Sequence, residues 1–154
     1  MIKINVISNN INWKKYLKDP NKFIDNKVSL INKKNKKFKN NILICTLLLS
    51  GTSEIKKLNK KFRNKNKSTD VLSFPFYEKI KLKKKIRIEK EVYLGDIIIN
   101  LNKVKNKKNK VKFREELNNL WIHGLVHLFG HKHKKNKEFH AMNKIEKKFI
   151  EFIN

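Results

Sequence analysis

The stretch His123-Gly124-Leu125-Val126-His127-Leu128-Phe129-Gly130-His131-Lys132-His133 constrains this chain more than any other. Two histidines four residues apart share one face of a helix, because a 3.6-residue turn brings i and i+4 to the same side. Gly130 stands where such a helix would stop, since glycine takes the left-handed C′ conformation without steric cost. A reversal there carries His133 back toward His123 and His127. Three imidazoles converging on one point leave a fourth tetrahedral position open, the arrangement of a catalytic zinc site, and the expectation is one Zn2+ per chain. His131 is a rival third ligand, but it follows Gly130 directly and has the shorter reach, so His133 is preferred.

Phe113, Leu117, Leu120, Trp121, Leu125 and Leu128 predict a long helix over about residues 112–129 that carries both histidines. Glu116, Leu120, His123 and His127 recur at helical spacing, so Glu116 lies on the histidine face and is the expected carboxylate partner of a ligand. The pattern H-x-x-x-H-x-x-G-x-x-H is also that of the metzincin proteases, where a glutamate after the first histidine is the general base. Gly124 holds that place here and has no proton acceptor. The pattern therefore argues for a metal and against proteolysis.

The flanking chain supplies strands and helices in alternation. Ile2, Ile4 and Val6 alternate with polar residues as a strand with one buried face does. Trp13, Tyr16 and Leu17 have helical spacing, and Asp19-Pro20 reads as N-cap and N1 of a helix with an apolar stripe of Phe23, Ile24, Val28 and Ile31. Residues 32–41 read as a lysine-rich loop. Residues 42–49 are apolar on both parities, as in a strand covered on both faces. Thr52 is a plausible N-cap for a helix bearing Ile55, Leu58 and Phe62 and ending near Arg63. Residues 68–76 form a strand that Pro75 confines to an edge. Residues 79–91 read as a charged hairpin, 92–100 as a strand, 103–110 as a frayed basic helix, and Phe139, Met142, Ile145 and Phe149 as a closing helix. The expected fold is α+β: one domain over 1–154, a mixed four- to five-stranded sheet packed with helices, and a metzincin-like three-histidine metal helix.

No apolar run approaches the roughly 20 residues of a transmembrane helix, and the opening residues alternate instead of forming a signal-peptide core. Cys45 stands alone in an apolar run and reads as a small buried hydrophobe. Together these features suggest a soluble, cytoplasmic protein with no membrane partner. With 39 Lys+Arg against 13 Asp+Glu, the formal net charge is +26. That charge permits a polyanionic partner without identifying one, because Lys, Asn and Ile all have A/T-rich codons and the lysines are spread over many surfaces.

The assembled motifs resemble the YbeY family of bacterial ribosomal RNA maturation factors. The resemblance rests on His123-Gly124-x-x-His127-Leu128-x-Gly130-x-x-His133 and on Thr69-Asp70-Val71-Leu72-Ser73-Phe74-Pro75 preceded by Leu58-Asn59-x-x-x-Arg63. Leu94-Gly95-Asp96-Ile97 and Glu116-Leu117-x-x-Leu120 add to it. It implies a zinc held by His123, His127 and His133, and single-strand-specific endoribonuclease activity. The implied roles are maturation of the 16S ribosomal RNA 3′ end and ribosome quality control, with the small ribosomal subunit and its maturation proteins as partners. Arg63 is implied as functionally important, and its guanidinium suits a phosphate clamp. Thr69 and Asp70 are candidate substrate-binding residues, with a turn-capping Asp70 and a structural Asp96 equally open. One departure is plain: the family usually has Gly-Tyr-Asp-His where this chain has Gly130-His131-Lys132-His133, so a carboxylate beside the third ligand is replaced by a cation. Attack by a metal-bound water and attack by the RNA 2′-hydroxyl both fit these residues. The alternative reading is a zinc-stabilised ribosome-assembly factor that binds RNA without cutting it.

Overall fold

In the computed structural model, which describes residues 1–132 and 136–154, the doubly apolar segment becomes an inner strand. This strand, β2 (Ile42–Ser50), runs parallel to β1 (Ile2–Ser8) on one side and to β4 (Glu91–Asn100) on the other. The short β3 (Val71–Pro75) pairs antiparallel with β4 at the far edge, giving the order β1-β2-β4-β3. Helices α1 (Pro20–Lys34), α2 (Thr52–Arg63), α3 (Lys79–Ile88), α4 (Lys110–Leu128) and α5 (Asn136–Ile153) surround it. The α+β class and mixed sheet agree with expectation, at four strands.

One face of the sheet carries the main core. Leu43, Cys45, Leu47, Leu49, Ile97 and Ile99 are fully buried there against residues of α1, α4 and α5. Each such aliphatic side chain contributes about 1.5–3 kcal/mol by leaving water. The opposite face has a smaller cluster, Ile55, Leu72 and Ile98, beneath α2. Trp13 is buried with its indole N–H donating to the Ser50 carbonyl at 3.0 Å, which anchors the short 3-10 turn Ile11–Lys15. At the β1 edge, Asn32 mimics a further strand: it accepts from the Ile2 N–H (2.7 Å) and donates to the Ile2 carbonyl (2.9 Å).

Cys45 sits in this core, and burial, with the nearby Asp96 carboxylate adding to it, pushes its thiol up to about 12. The thiolate is the reactive form. A disulfide reagent at pH 8 is therefore expected to leave the native protein unlabelled and to react with one thiol per chain after denaturation. Rapid labelling of folded protein would show that the core is not closed.

Several local expectations give way. Most of the expected hairpin, Lys79–Ile88, is helix α3 instead, because Leu82 and Ile86 at i, i+4 both turn inward while Ile80 (74% exposed) and Ile88 (82%) face out. The helical period of that pair overrides the weak alternation. Helix α1 continues through Asn32 to Lys34, held by the Asn32 contact with β1. Gly51, rather than Thr52, is the N-cap of α2, and the Thr52 hydroxyl donates to Asn100 instead (3.3 Å). Residues 103–110 are no frayed helix: a 3-10 turn at Leu101–Lys103 precedes an irregular stretch up to the N-cap of α4. Among the described residues no helix is long and apolar enough to cross a membrane.

Candidate metal and nucleic-acid site

Helix α4 starts where Asn109 accepts from the N–H groups of Val111 and Lys112, both at 3.0 Å. It ends in a Schellman closure. The Gly130 N–H donates to His127 O (2.8 Å) and the His131 N–H to Val126 O (3.4 Å), with Gly130 at φ +80°. The glycine stop read from the sequence is thus in place, one turn past the second histidine.

His123 and His127 meet edge to face, their Nε2 atoms 3.1 Å apart. Their other nitrogens are committed. Nδ1–H of His123 donates to Glu146 Oε1 at 2.8 Å, and Nδ1–H of His127 donates to the His131 carbonyl at 2.8 Å. A carbonyl can only accept, so His127 carries hydrogen on Nδ1, and the Glu146 carboxylate favours the same tautomer for His123. An Nε2···Nε2 approach of 3.1 Å has room for one proton or one metal ion between the two nitrogens. Nitrogen ligands on a tetrahedral zinc, each at about 2.0–2.1 Å, stand about 3.3–3.4 Å apart. The pair fits a shared metal ion in spacing and in tautomer.

His133, the expected third ligand, lies outside the described residues. Among the described residues no three His, Cys, Asp or Glu side chains gather around one point. His131 meets the pair through its backbone carbonyl. Burial, and then the positive charges of Lys79, Lys37 and Lys83, lower the pKa of its ring.

The carboxylate on His123 belongs to Glu146 of α5, and Glu116, earlier on α4, is not the group on that nitrogen. Glu146 could not be found from sequence spacing, because only packing of α5 against α4 brings it across 23 residues. Lys132, by contrast, is an exposed cation. Glu146→Gln keeps a hydrogen-bond acceptor but removes the charge, and is expected to weaken metal retention about 10- to 100-fold. Competitive chelation of the purified variant would measure it, and unchanged retention would remove Glu146 from the site.

Gly124 faces the sheet. A Cβ there would stand 2.6 Å from Ile97 Cγ2 and 3.2 Å from Ser73 Oγ, so the helix can lie this close only with glycine. Ser73 connects to the arginine as well. Along β3, the Asn100 N–H donates to Asp70 O and the Phe76 N–H to Leu94 O, both at 2.8 Å, so Val71, Ser73 and Pro75 turn their backbone groups outward. Asp70 Oδ1 accepts from the Val71 N–H (2.8 Å), Arg63 Nη2 donates to the Ser73 carbonyl (2.9 Å), and Pro75 has no N–H. These three residues block the sheet edge against a further strand.

Arg63 is exposed, with its guanidinium 5.7 Å from the Phe74 ring centre. Its position depends on Asn59, whose buried amide donates to Lys67 O (2.7 Å) and fixes the exit from α2. The Thr69 hydroxyl donates to Asp70 Oδ1 (2.9 Å), and the Thr69 carbonyl accepts from Asn100 Nδ2 (3.1 Å). Both side chains thus close the turn into β3. Asp96 accepts from Tyr93 Oη at 2.6 Å on the α2 side of the sheet, away from the histidine helix. A larger hollow of about 960 Å³ along β1 and α1, lined by Asn5, Asp25 and Asn32 among others, holds no histidine. A cavity of about 150 Å³ lies directly against His123 and Glu146.

Comparison with known proteins follows the same outline. The family model described as Endoribonuclease YbeY matches residues 6–154. A protein of Pelagibacter ubique (strain HTCC1062) named Endoribonuclease YbeY is 43% identical, covering 99% of this chain and 97% of its own length. One of the same name from Buchnera aphidicola subsp. Acyrthosiphon pisum (strain APS) is 38% identical over 75% of this chain and 72% of its own. A Thermotoga maritima protein solved in solution superposes with a TM-score of 0.62 at 27% identity, covering 98% of this chain and 89% of that one.

Proposed function

The chain belongs to the Endoribonuclease YbeY family, and from that premise we propose that it is a metal-dependent endoribonuclease that cuts single-stranded RNA. We place it in maturation of the 16S ribosomal RNA 3′ end and in ribosome quality control, in the cytoplasm, with the small ribosomal subunit and its maturation proteins as partners. The working unit is one domain over 1–154. The observation that carries the reading is the histidine pair, with each Nδ1 hydrogen-bonded and the two Nε2 atoms 3.1 Å apart.

His123, His127 and His133 would hold one Zn2+. Such an ion supplies Lewis acidity toward a phosphate oxygen and toward water. The chain's own residues do the rest. Glu146 holds the His123 ring through Nδ1, and the His131 carbonyl holds the His127 ring in the same way, which turns the two Nε2 atoms toward each other. Arg63 has five N–H donors, of which Ser73 takes one, so its fork can clamp a phosphate while the strand keeps it oriented. Thr69 and Asp70 act on substrate through the turn they close beside that strand. The attacking nucleophile is either water or the RNA 2′-hydroxyl, and none of the side chains named here is assigned as the general base that takes its proton. The relatives carry an endoribonuclease name, which favours cleavage over the non-catalytic assembly reading.

The test is cleavage of an end-labelled RNA offered as a single strand and as a perfect duplex. Cutting confined to the single strand is expected. Equal cutting of both, or no turnover with zinc supplied, would overturn the proposal.

A further inference from the structure

Helix α2 covers only part of its side of the sheet. Its apolar contacts, Ile55 and Leu58 against Leu48, Leu72 and Ile98, lie toward the end of β4. The register places Phe74 opposite Asp96, and Thr46 opposite Asp96 on the other side, one step further along the same face. Between Ile44 and Cys45 the β2–β4 register shifts by one residue at Leu94. That bulge puts Tyr93 on the same face as Asp96, three residues away, and Thr46 and Asp96 pin its hydroxyl at 2.9 and 2.6 Å.

The result is a run of aromatic rings at the open face. Phe62 meets Phe74 at 5.3 Å, Phe76 meets Tyr93 at 5.8 Å, and Phe76 meets Tyr77 at 4.9 Å. Phe76 is 64% exposed and Phe62 59% exposed. Exposed phenylalanines contribute little to folding, so their grouping calls for another account. Cations are interleaved with them: Lys61 lies over Phe62 (5.3 Å), Arg63 over Phe74 (5.7 Å) and Lys81 over Tyr77 (5.6 Å). Rings for stacking with cations for the backbone are what a single strand of nucleic acid requires. A protein partner would be served by the rings alone, whereas the cations and the chain's net charge of +26 favour a polyanion.

We propose that this open sheet face, centred on Phe76 and bordered by Phe62, Phe74 and Tyr93, is a base-stacking platform for single-stranded RNA. It leads the strand across the β3 edge at Arg63 toward the histidines. The inference rests on the RNA reading above and adds to it the surface that selects unpaired bases. Ser73 joins the two sides, with its carbonyl on Arg63 and its hydroxyl oxygen facing Gly124 of the histidine helix. A duplex, whose bases are already stacked, has no ring faces to offer this surface.

The test is binding of a fluorescein-labelled, mixed-sequence single-stranded RNA decamer by the full chain with chelator present, so that binding is read apart from cleavage. Phe76→Ala is expected to weaken binding roughly 5- to 150-fold, the range for loss of one stacked base, while Phe76→Trp retains it. Phe62→Ala should act in the same direction, and a 5-bromouridine decamer should crosslink to the peptide carrying Phe76 or Tyr93. Wild-type affinity in folded Phe76→Ala, with crosslinks elsewhere, overturns the platform, including in favour of a protein partner for this face. If the platform binds RNA but the wild type never cuts it, the platform stands and the endoribonuclease reading fails. If the wild type binds no RNA, both fail.

Discussion

Gly124→Glu is expected to leave little folded protein at 37 °C. The position is buried between α4 and the sheet, where even a methyl group would overlap Ile97. Ile97 is itself fully buried in the main core and cannot swing aside. Overpacking of this kind costs about 1–3 kcal/mol. Gly124→Ala sets that cost against a gain of about 1 kcal/mol in helix propensity. It should therefore lower the melting temperature only modestly, by a few degrees at most for a domain of this size. Glutamate adds a charge to that buried, close-packed position, and the total rises to about 3–5 kcal/mol or more. Thermal denaturation of the three proteins measures this order. A Gly124→Glu protein that melts like the wild type would show that α4 is not held against the sheet by that glycine. The glutamate of the metzincin pattern is thus excluded here by packing as well as by sequence.

His127→Ala is expected to remove RNA cleavage while leaving the fold standing. The ring is half-buried at the end of α4, and the bonds it makes, to the His131 carbonyl and to His123 among them, are each worth about 1 kcal/mol. The effect on activity is of another order. Removing a group that only orients a ligand costs about 10- to 100-fold, and removing a proposed ligand such as His127 should exceed that. His123→Ala should behave alike. Circular dichroism on both variants, beside cleavage of a single-stranded RNA, separates the two effects. Folded variants that cut at the wild-type rate would place the chemistry elsewhere on the chain.

Much of this arrangement was legible in the sequence where the signal is local. The i, i+4 histidines and Gly130 specified the end of α4, Asp19-Pro20 specified the start of α1, and Pro75 placed β3 at an edge, because each depends on backbone geometry within a few residues. Glu146 was not legible, since its approach to His123 depends on how α5 lies on α4. Nor was the role of Ser73, which meets Arg63 through a carbonyl that every residue type possesses. Helix α3 is not legible in the sequence because Ile80, Leu82, Ile86 and Ile88 satisfy the strand and helix periods about equally, and only burial of Leu82 decides between them. Tyr93 and Asp96 share a face only through the bulge at Leu94, and no spacing rule could announce that.

Cleavage of a labelled single-stranded RNA by chelated protein, before and after one equivalent of Zn2+ is added, tests the metal-dependent endoribonuclease most directly. His127→Ala, purified identically, serves as the control for contaminating nuclease. The expected result is no cleavage after chelation, recovery with zinc in the wild type, and none in the variant. Cleavage that survives chelation, or that the His127→Ala preparation shows equally, would contradict a catalytic metal held by these histidines.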